Sequence, residues 1–481
     1  MIGGFLGPLA AEIFLLIAIC VILIQDVFSY DQEREWTYRL SQLALLVTGI
    51  LVAAGLPATG LPAAGQVLYD GHYRVDTLAL LLKLGIIIVS MLALTFARPY
   101  ILTRRILRGE YFLLVLFAVL GAMILVAGNS LLTLYLGLEV MSLSLYALVA
   151  MQRGSRQSAE AAVKYFVMGA LASGFLLYGM SILYGVTGSL VIQQVMQIAL
   201  ASEQQLLFQL GLVFLVSGLA FKIGAVPFQM WLPDVYQGAP SAVTAFISSA
   251  PKIAAYGLII RLLSGALQPL AADWQQLLSL LAVLSIAVGN VVAIAQSSLK
   301  RMLAYSAIAH VGYFLLGIIA GDGQGFAASM FYILIYAVMS VGAFGAVIYL
   351  SFQGEEREQI DDFRGLARRN LWQATLIASL MLSLAGLPPF AGFWAKFEVI
   401  RAVALADQIW LAIVAVIFSI VGLFYYLRLV KVMFFDEPEQ AVTIKAPRGL
   451  RFALGVCGLG VFFLGIFPGM LLEYCLQAFN G

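Results

Sequence analysis

Charge is scarce in this 481-residue sequence: Asp, Glu, Lys and Arg make up 11% of it against 62% hydrophobic residues, and the mean hydropathy is +0.99. Soluble domains carry about 25% charged residues, so an ordinary water-facing surface is excluded. Histidine occurs only at His72 and His310, and cysteine only at Cys20, Cys457 and Cys475, with no CxxC pair. That scarcity argues against an iron–sulfur cluster, a zinc site and paired haem ligation in this chain. No glycine-rich turn follows a strand pattern, so neither a dinucleotide cradle nor direct NADH binding is expected, and GLPATGLPAAG (55–65) reads as an outer loop. With a net charge of +2, no nucleic-acid partner is expected either.

Apolar runs are abundant instead. A helix of about 20 residues crosses the roughly 30 Å of bilayer hydrocarbon. Fourteen windows qualify, at about 7–24, 40–56, 76–97, 110–127, 130–150, 160–185, 206–234, 240–263, 274–295, 300–320, 325–351, 371–404, 408–434 and 450–475. The expected fold class is an all-α polytopic membrane protein. No basic residue precedes Arg34, so the first span is expected to be retained uncleaved, with the N-terminus outside.

The 27 basic residues test that topology. Odd-numbered loops and their flanks hold 19 of them, even-numbered loops hold three (Arg74, Arg261 and Arg401), and the remaining five are lysines inside spans. Basic loops stay on the cytoplasmic side, which predicts that both termini face the periplasm or its equivalent.

The five intramembrane lysines are Lys83, Lys164, Lys222, Lys252 and Lys396. Each costs about 2.5–3.5 kcal/mol near mid-membrane, on the order of 15 kcal/mol in all if they faced lipid. Snorkelling from a span end is the expectation for Lys83 and the alternative for Lys164. Lys222, Lys252 and Lys396 are expected to face protein or water. A desolvated ammonium can lose its proton where a guanidinium cannot, so lysine suits a proton relay. Only Glu12, Glu139 and Glu398 lie well inside spans as partners, and Glu139 with Lys222 is the expected switchable pair.

Two spans are interrupted. FKIGAVPFQMWLPDVYQGAP (221–240) places Pro227 and Pro233 just after Lys222, and LAGLPPFAGFWAKFE (384–398) places Pro388 and Pro389 just before Lys396. Proline removes a backbone donor and frees carbonyls that lipid cannot satisfy, so such breaks are expected to line a polar interior. The two breaks lie five spans apart and therefore run in opposite senses, the pattern of an inverted repeat. The expected division is an N-terminal segment 1–109, repeats 110–264 and 265–434, and a last span within 435–481. His310, in the tenth span between Lys252 and Lys396 in sequence, is the residue type suited to bridge a proton path near neutral pH.

VPFQMWLPDVYQGAP, LKRMLAYSAIAHVGY and LAGLPPFAGFWAK resemble motifs of the antiporter-like membrane subunits of respiratory complex I, a family shared with multisubunit sodium/proton antiporters. PDVYQGAP, the length and the absence of a long C-terminal amphipathic helix favour the bacterial NADH:quinone oxidoreductase branch. The resemblance implies a proton path through Glu139, Lys222, Lys252 and Lys396, with His310 added from its position and Lys164 and Glu398 as accessory candidates. Gln229 stands where many relatives have histidine, so that histidine's role does not carry over. The resemblance also implies neighbouring antiporter-like subunits within the bilayer, and flavin, iron–sulfur clusters and quinone in partner chains rather than here. The competing readings are a sodium/proton antiporter subunit and a scaffold whose polar residues only hold helices together.

Overall fold

The computed structural model describes residues 7–479 except 30–32, 56–64, 105, 107, 153, 202–203, 352–355 and 439–445. Most of the 55–65 loop thus lies outside the described residues. Thirteen helices among them are long and apolar enough to cross a membrane. The fourteenth crossing is the twelfth span, split into Leu371–Ala385 and Ala391–Leu405, each half too short to cross alone. The second span starts at Glu35, five residues before the hydropathy window, because its first turn EWTYR is polar.

Helix starts are set by local chemistry. Asp76, Ser130, Ser155 and Ser298 stand at N-caps and accept from the backbone N–H of Ala79, Thr133, Ser158 and Arg301, supplying acceptors that the first helical turn lacks. The eighth (Ser241–Ala266), tenth (Leu299–Ala320) and eleventh (Gly323–Ser351) spans are almost wholly enclosed by other helices and form the core. The first, second and thirteenth spans turn most of their surface outward, as lipid-facing helices do. A small antiparallel hairpin, β1 (Gln66–Leu68) and β2 (Tyr73–Val75), pairs Gln66 with Val75 and Leu68 with Tyr73 between the second and third spans.

The seventh span runs Gln205–Ile223, breaks, and resumes as Trp231–Gly238. Pro233 is not part of this break: it lies buried in the first turn of the second half, where a backbone N–H has no helical partner to lose. Pro227, Pro388 and Pro389 do lie in the breaks, but on the outer side of the chain, exposed, rather than lining the interior. The carbonyls that Pro227 and Pro389 free, of Ile223 and Ala385, each accept from a buried lysine.

Candidate functional site

Both breaks share one construction. The first half ends on a left-handed glycine, Gly224 (φ 77°) in the seventh span and Gly386 (φ 84°) in the twelfth, a conformation that side chains other than glycine resist. The carbonyl just before each glycine accepts from a buried ammonium: Ile223 from Lys252, and Ala385 from Lys396 at 2.9 Å. Helix C-termini carry partial negative charge, so these ends attract cations. Neighbouring serines satisfy the loops, Ser285 accepting from the Val226 N–H (2.9 Å) and Ser383 from the Gly392 N–H (3.0 Å). A Cβ on Gly386 would stand 2.7 Å from Cδ of Lys396, so the glycine also makes room for the lysine stem.

Lys222 ends the first half of the seventh span, and its ammonium is held by hydroxyls: Ser173 Oγ at 3.0 Å, Ser142 Oγ at 3.1 Å and Tyr146 Oη at 3.4 Å. The expected ion pair with Glu139 is not formed, since no carboxylate oxygen lies within 4 Å of the ammonium among the described residues. Glu139 Oε1 is buried without a hydrogen-bond partner. Glu139, Ser142 and Tyr146 occupy positions i, i+3 and i+7 of the fifth span and therefore share one face. Lys222 sits along that face beyond the carboxylate.

His310 is 3% exposed and engaged at both ring nitrogens, Nδ1 with Tyr332 Oη at 2.6 Å and Nε2 with Tyr426 Oη at 3.1 Å. Tyr426 continues to Ser306. Lys396 lies 5.0 Å from the ring centre of Tyr313, whose ring in turn neighbours His310. The structure thus brings Lys396 and His310 into one buried cluster, with tyrosines between them. The spacing of Ser306, His310 and Tyr313 (i, i+4, i+7) marks this face in the sequence, but tyrosines there fit an apolar core equally well.

The accessory positions divide. Lys164 bonds Asp234 and Glu160, both at 2.8 Å, and Arg301 reaches the other Asp234 oxygen at 3.1 Å. Among the described residues Glu398 pairs with the half-exposed Arg401 alone, at 3.2 Å, away from Lys396's partners. Lys83 does not snorkel: it is 2% exposed and pairs with Glu12 at 2.5 Å, with Tyr73 bridging the two. Sequence reading placed Glu12 and Lys83 in spans but could not show that the first and third spans meet there.

Two further buried charges, Arg261 and Lys300, read as loop residues in the sequence. Arg261 is 5% exposed and grips Asp76 through two guanidinium nitrogens at 2.6 and 2.7 Å. Lys300 is 2% exposed, donates to the Ala239 carbonyl at 2.8 Å and faces Glu356 at 3.6 Å. Glu356 also takes bonds from Tyr100, Ser241 and Arg104. Burial opposes ionisation of Glu356, but Lys300, Arg104, Ser241 and Tyr100 together hold its carboxyl below the usual range. A cavity of about 350 Å³ opens beside Lys300, Glu356 and Gln237, and one of about 160 Å³ beside Lys164, Asp234 and Arg301; Gln157 and Gln237 line both. Both lie at the end bearing the odd-numbered loops. Among the described residues no group of three His, Cys, Asp or Glu side chains is placed to hold a metal ion.

Comparison with known proteins bears on this arrangement. Residues 128–422 match the family model described as NADH:quinone oxidoreductase/Mrp antiporter, TM. The chain is 50% identical over 475 residues to NADH-quinone oxidoreductase subunit N of Thioalkalivibrio sulfidiphilus, covering 98% of each protein. It superposes on a chain of respiratory complex I from Thermus thermophilus with a TM-score of 0.80 and 32% identity, covering 96% of this chain and 98% of that one. A chain of the Mrp complex from Dietzia sp. shares the fold (TM-score 0.82) at 22% identity, covering 98% of this chain and 97% of that one.

Proposed function

Because the chain belongs to the NADH:quinone oxidoreductase/Mrp antiporter membrane family, we propose that it is the proton-translocating membrane subunit of an NADH:quinone oxidoreductase, carrying protons along Glu139, Lys222, Lys252, His310 and Lys396. The observation that carries this reading is a contrast within the molecule. Buried cations that only hold helices together are matched to carboxylates, as Lys83 is to Glu12 and Arg261 to Asp76. Lys222, Lys252 and Lys396 rest on neutral hydroxyls and carbonyls instead. A buried ammonium without a carboxylate beside it is free to give up its proton, whereas a paired one is held charged. This contrast also counts against a purely scaffolding role.

The two break-and-lysine constructions support a pair of inverted repeats, 110–264 and 265–434, preceded by the three-span segment 1–109 and followed by the span within 435–481. Its bacterial relatives support placement in a bacterial inner membrane, and the distribution of basic residues supports odd-numbered loops cytoplasmic and both termini periplasmic. Redox chemistry, with its flavin, iron–sulfur clusters and quinone, belongs to partner chains, and the neighbours in the membrane are further antiporter-like subunits. Likeness to the Mrp chain reaches the fold alone and adds nothing in favour of sodium. The test is extraction in mild detergent with a tag on this chain. NADH-oxidising and quinone-binding subunits should copurify with it, and recovery of antiporter partners alone would overturn the reading.

A further inference from the structure

We propose that Ser142, Ser173 and Tyr146 form a second resting site for the Lys222 ammonium, the position at which Lys222 exchanges its proton, while Glu139 is the position at which it holds it. This rests on Lys222 being a proton carrier and specifies how it is switched. The ammonium lies within 3.4 Å of all three hydroxyls and, among the described residues, within 4 Å of no carboxylate, although Glu139 stands one turn away on the same helix face with its Oε1 buried and unpartnered. Glu139 is near enough for its charge to act on Lys222, and the flexible four-carbon stem lets the ammonium shift between helix turns.

The two sites differ chemically. An ionised carboxylate only accepts hydrogen bonds, so Glu139 favours the charged ammonium. A hydroxyl both donates and accepts: it takes a bond from an ammonium and gives one to a neutral amine. The three hydroxyls therefore receive Lys222 in either protonation state, and the proton can leave or arrive there without stranding a buried polar group. Ser142 and Tyr146 lie one and two turns beyond Glu139 along the fifth span, toward its Val149 end, where the next loop is odd-numbered. The exchange position is thus displaced toward the face that bears both polar cavities, and the sixth span connects the two, with Ser173 at the hydroxyl site and Lys164 lining the smaller cavity. Nine residues separate Ser173 from Lys164, roughly 13 Å along the helix.

The titratable groups around this site include Tyr135, Glu139 and Tyr146 from the fifth span, Tyr165 from the sixth, which packs edge-on against Tyr146, and Lys252 from the eighth, whose ammonium bonds the residue after Lys222. Of these only Glu139 is acidic enough to hold a proton on Lys222, so removing the hydroxyls leaves the lysine to its carboxylate. Ser142 and Ser173 act as positioning residues.

The experiment measures NADH-driven proton uptake in membrane vesicles from pH 6 to 9, per assembled complex, for Ser142→Ala/Ser173→Ala, each single variant, Ser142→Thr, and Lys222→Ala. The double variant should lose at least on the order of tenfold in uptake, since each of the two hydrogen bonds it removes from a charged group is on that scale. Its profile should move toward alkaline pH, because a proton held by Glu139 needs a higher pH to leave. The single variants should show part of the effect and report on it even if the double variant assembles poorly. Ser142→Thr, which keeps a hydroxyl, should restore most of the rate at the normal pH. Wild-type rate and profile in the serine variants, with Lys222→Ala inactive, would overturn the hydroxyl site alone. Normal uptake by Lys222→Ala would instead overturn the reading on which it rests.

Discussion

The Lys396 ammonium donates to the carbonyl of Ala385 across the break in the twelfth span, 2.9 Å away, closing a helix end that proline left open. Lys252 does the same for Ile223 at the break in the seventh. Each lysine is thus both a backbone cap and a titratable group, so its proton and the shape of the break are tied together. When the ammonium turns neutral, it keeps donors but loses the charge that made the helix end attractive.

Gly386→Ala should therefore disturb transport as strongly as loss of the lysine itself. Alanine resists the left-handed backbone, at a cost of about 1 kcal/mol or more, and its Cβ would press on the Lys396 stem. Proton uptake per assembled enzyme should fall in Gly386→Ala and in Lys396→Met alike. Normal uptake by both would detach the cap from the transport path.

Asp76 and Arg261 are expected to matter for stability rather than transport, since they clamp the start of the third span to the end of the eighth. Asp76→Ala strands a buried guanidinium and should cost about 3–5 kcal/mol, most of which Asp76→Ala/Arg261→Met recovers. Unfolding temperature in detergent measures this. No recovery in the double variant would mean that the pair does more than cancel charge.

Acid should weaken the same clamp. Burial opposes ionisation of Asp76, but Arg261, the Ala79 N–H and Arg74 outweigh it and hold the carboxyl below the usual range; Glu356 is held below its range likewise. A carboxyl whose folded pKa is depressed contributes its stability in full above the unfolded values, about 3.9 for Asp and 4.3 for Glu, and loses it as pH falls through the folded value. Unfolding temperature should therefore hold between pH 7 and about 5 and drop below that. The drop should be shallower in Asp76→Asn/Glu356→Gln; an equal drop in that variant would place the acid sensitivity elsewhere.

Orientation is open to direct labelling. Asp361, after the eleventh span, and Gln324, after the tenth, are both exposed and lie on opposite faces under the proposed topology. In a Cys20→Ser background, Asp361→Cys should react with an impermeant thiol reagent from the cytoplasmic side and Gln324→Cys from the periplasmic side. Reaction of both from one side would refute the fourteen-span arrangement.

The spans, both breaks and the lysines were legible because each leaves a local mark: a long apolar window, a proline in it, a charge where charge is costly. The pairings were not, because they join residues far apart in the chain. Asp76 and Arg261 are 185 residues apart and each looks like an ordinary loop charge until the helices pack. Lys83 was misjudged for the same reason: its distance from the span end suggested snorkelling, whereas Glu12 waits on another helix. Glu139 and Lys222 failed in the opposite way. Both were found and both border the site, but serine and tyrosine hydroxyls, hard to tell from packing residues in an apolar helix, hold the lysine in place of the acid.

Lys222 allows the sharpest separation of proton carriage from mere charge. Its ammonium is surrounded by Ser142, Ser173 and Tyr146, all neutral, so no fixed pairing demands a permanent cation there. Lys222→Ala removes the titrating group. Lys222→Arg keeps a positive charge and five donors but traps the proton, since a guanidinium does not release it at any accessible pH. If Lys222 only anchored helices, arginine would serve and alanine would not. If it carries protons, both variants should lose NADH-driven proton uptake by at least about tenfold while the complex still assembles, a barrier increase of about 1.4 kcal/mol or more. The measurement is proton uptake into vesicles, normalised to the amount of assembled complex. Wild-type uptake by the arginine variant would make Lys222 a structural charge, and the path would then have to run from Lys252 to Lys396 without it.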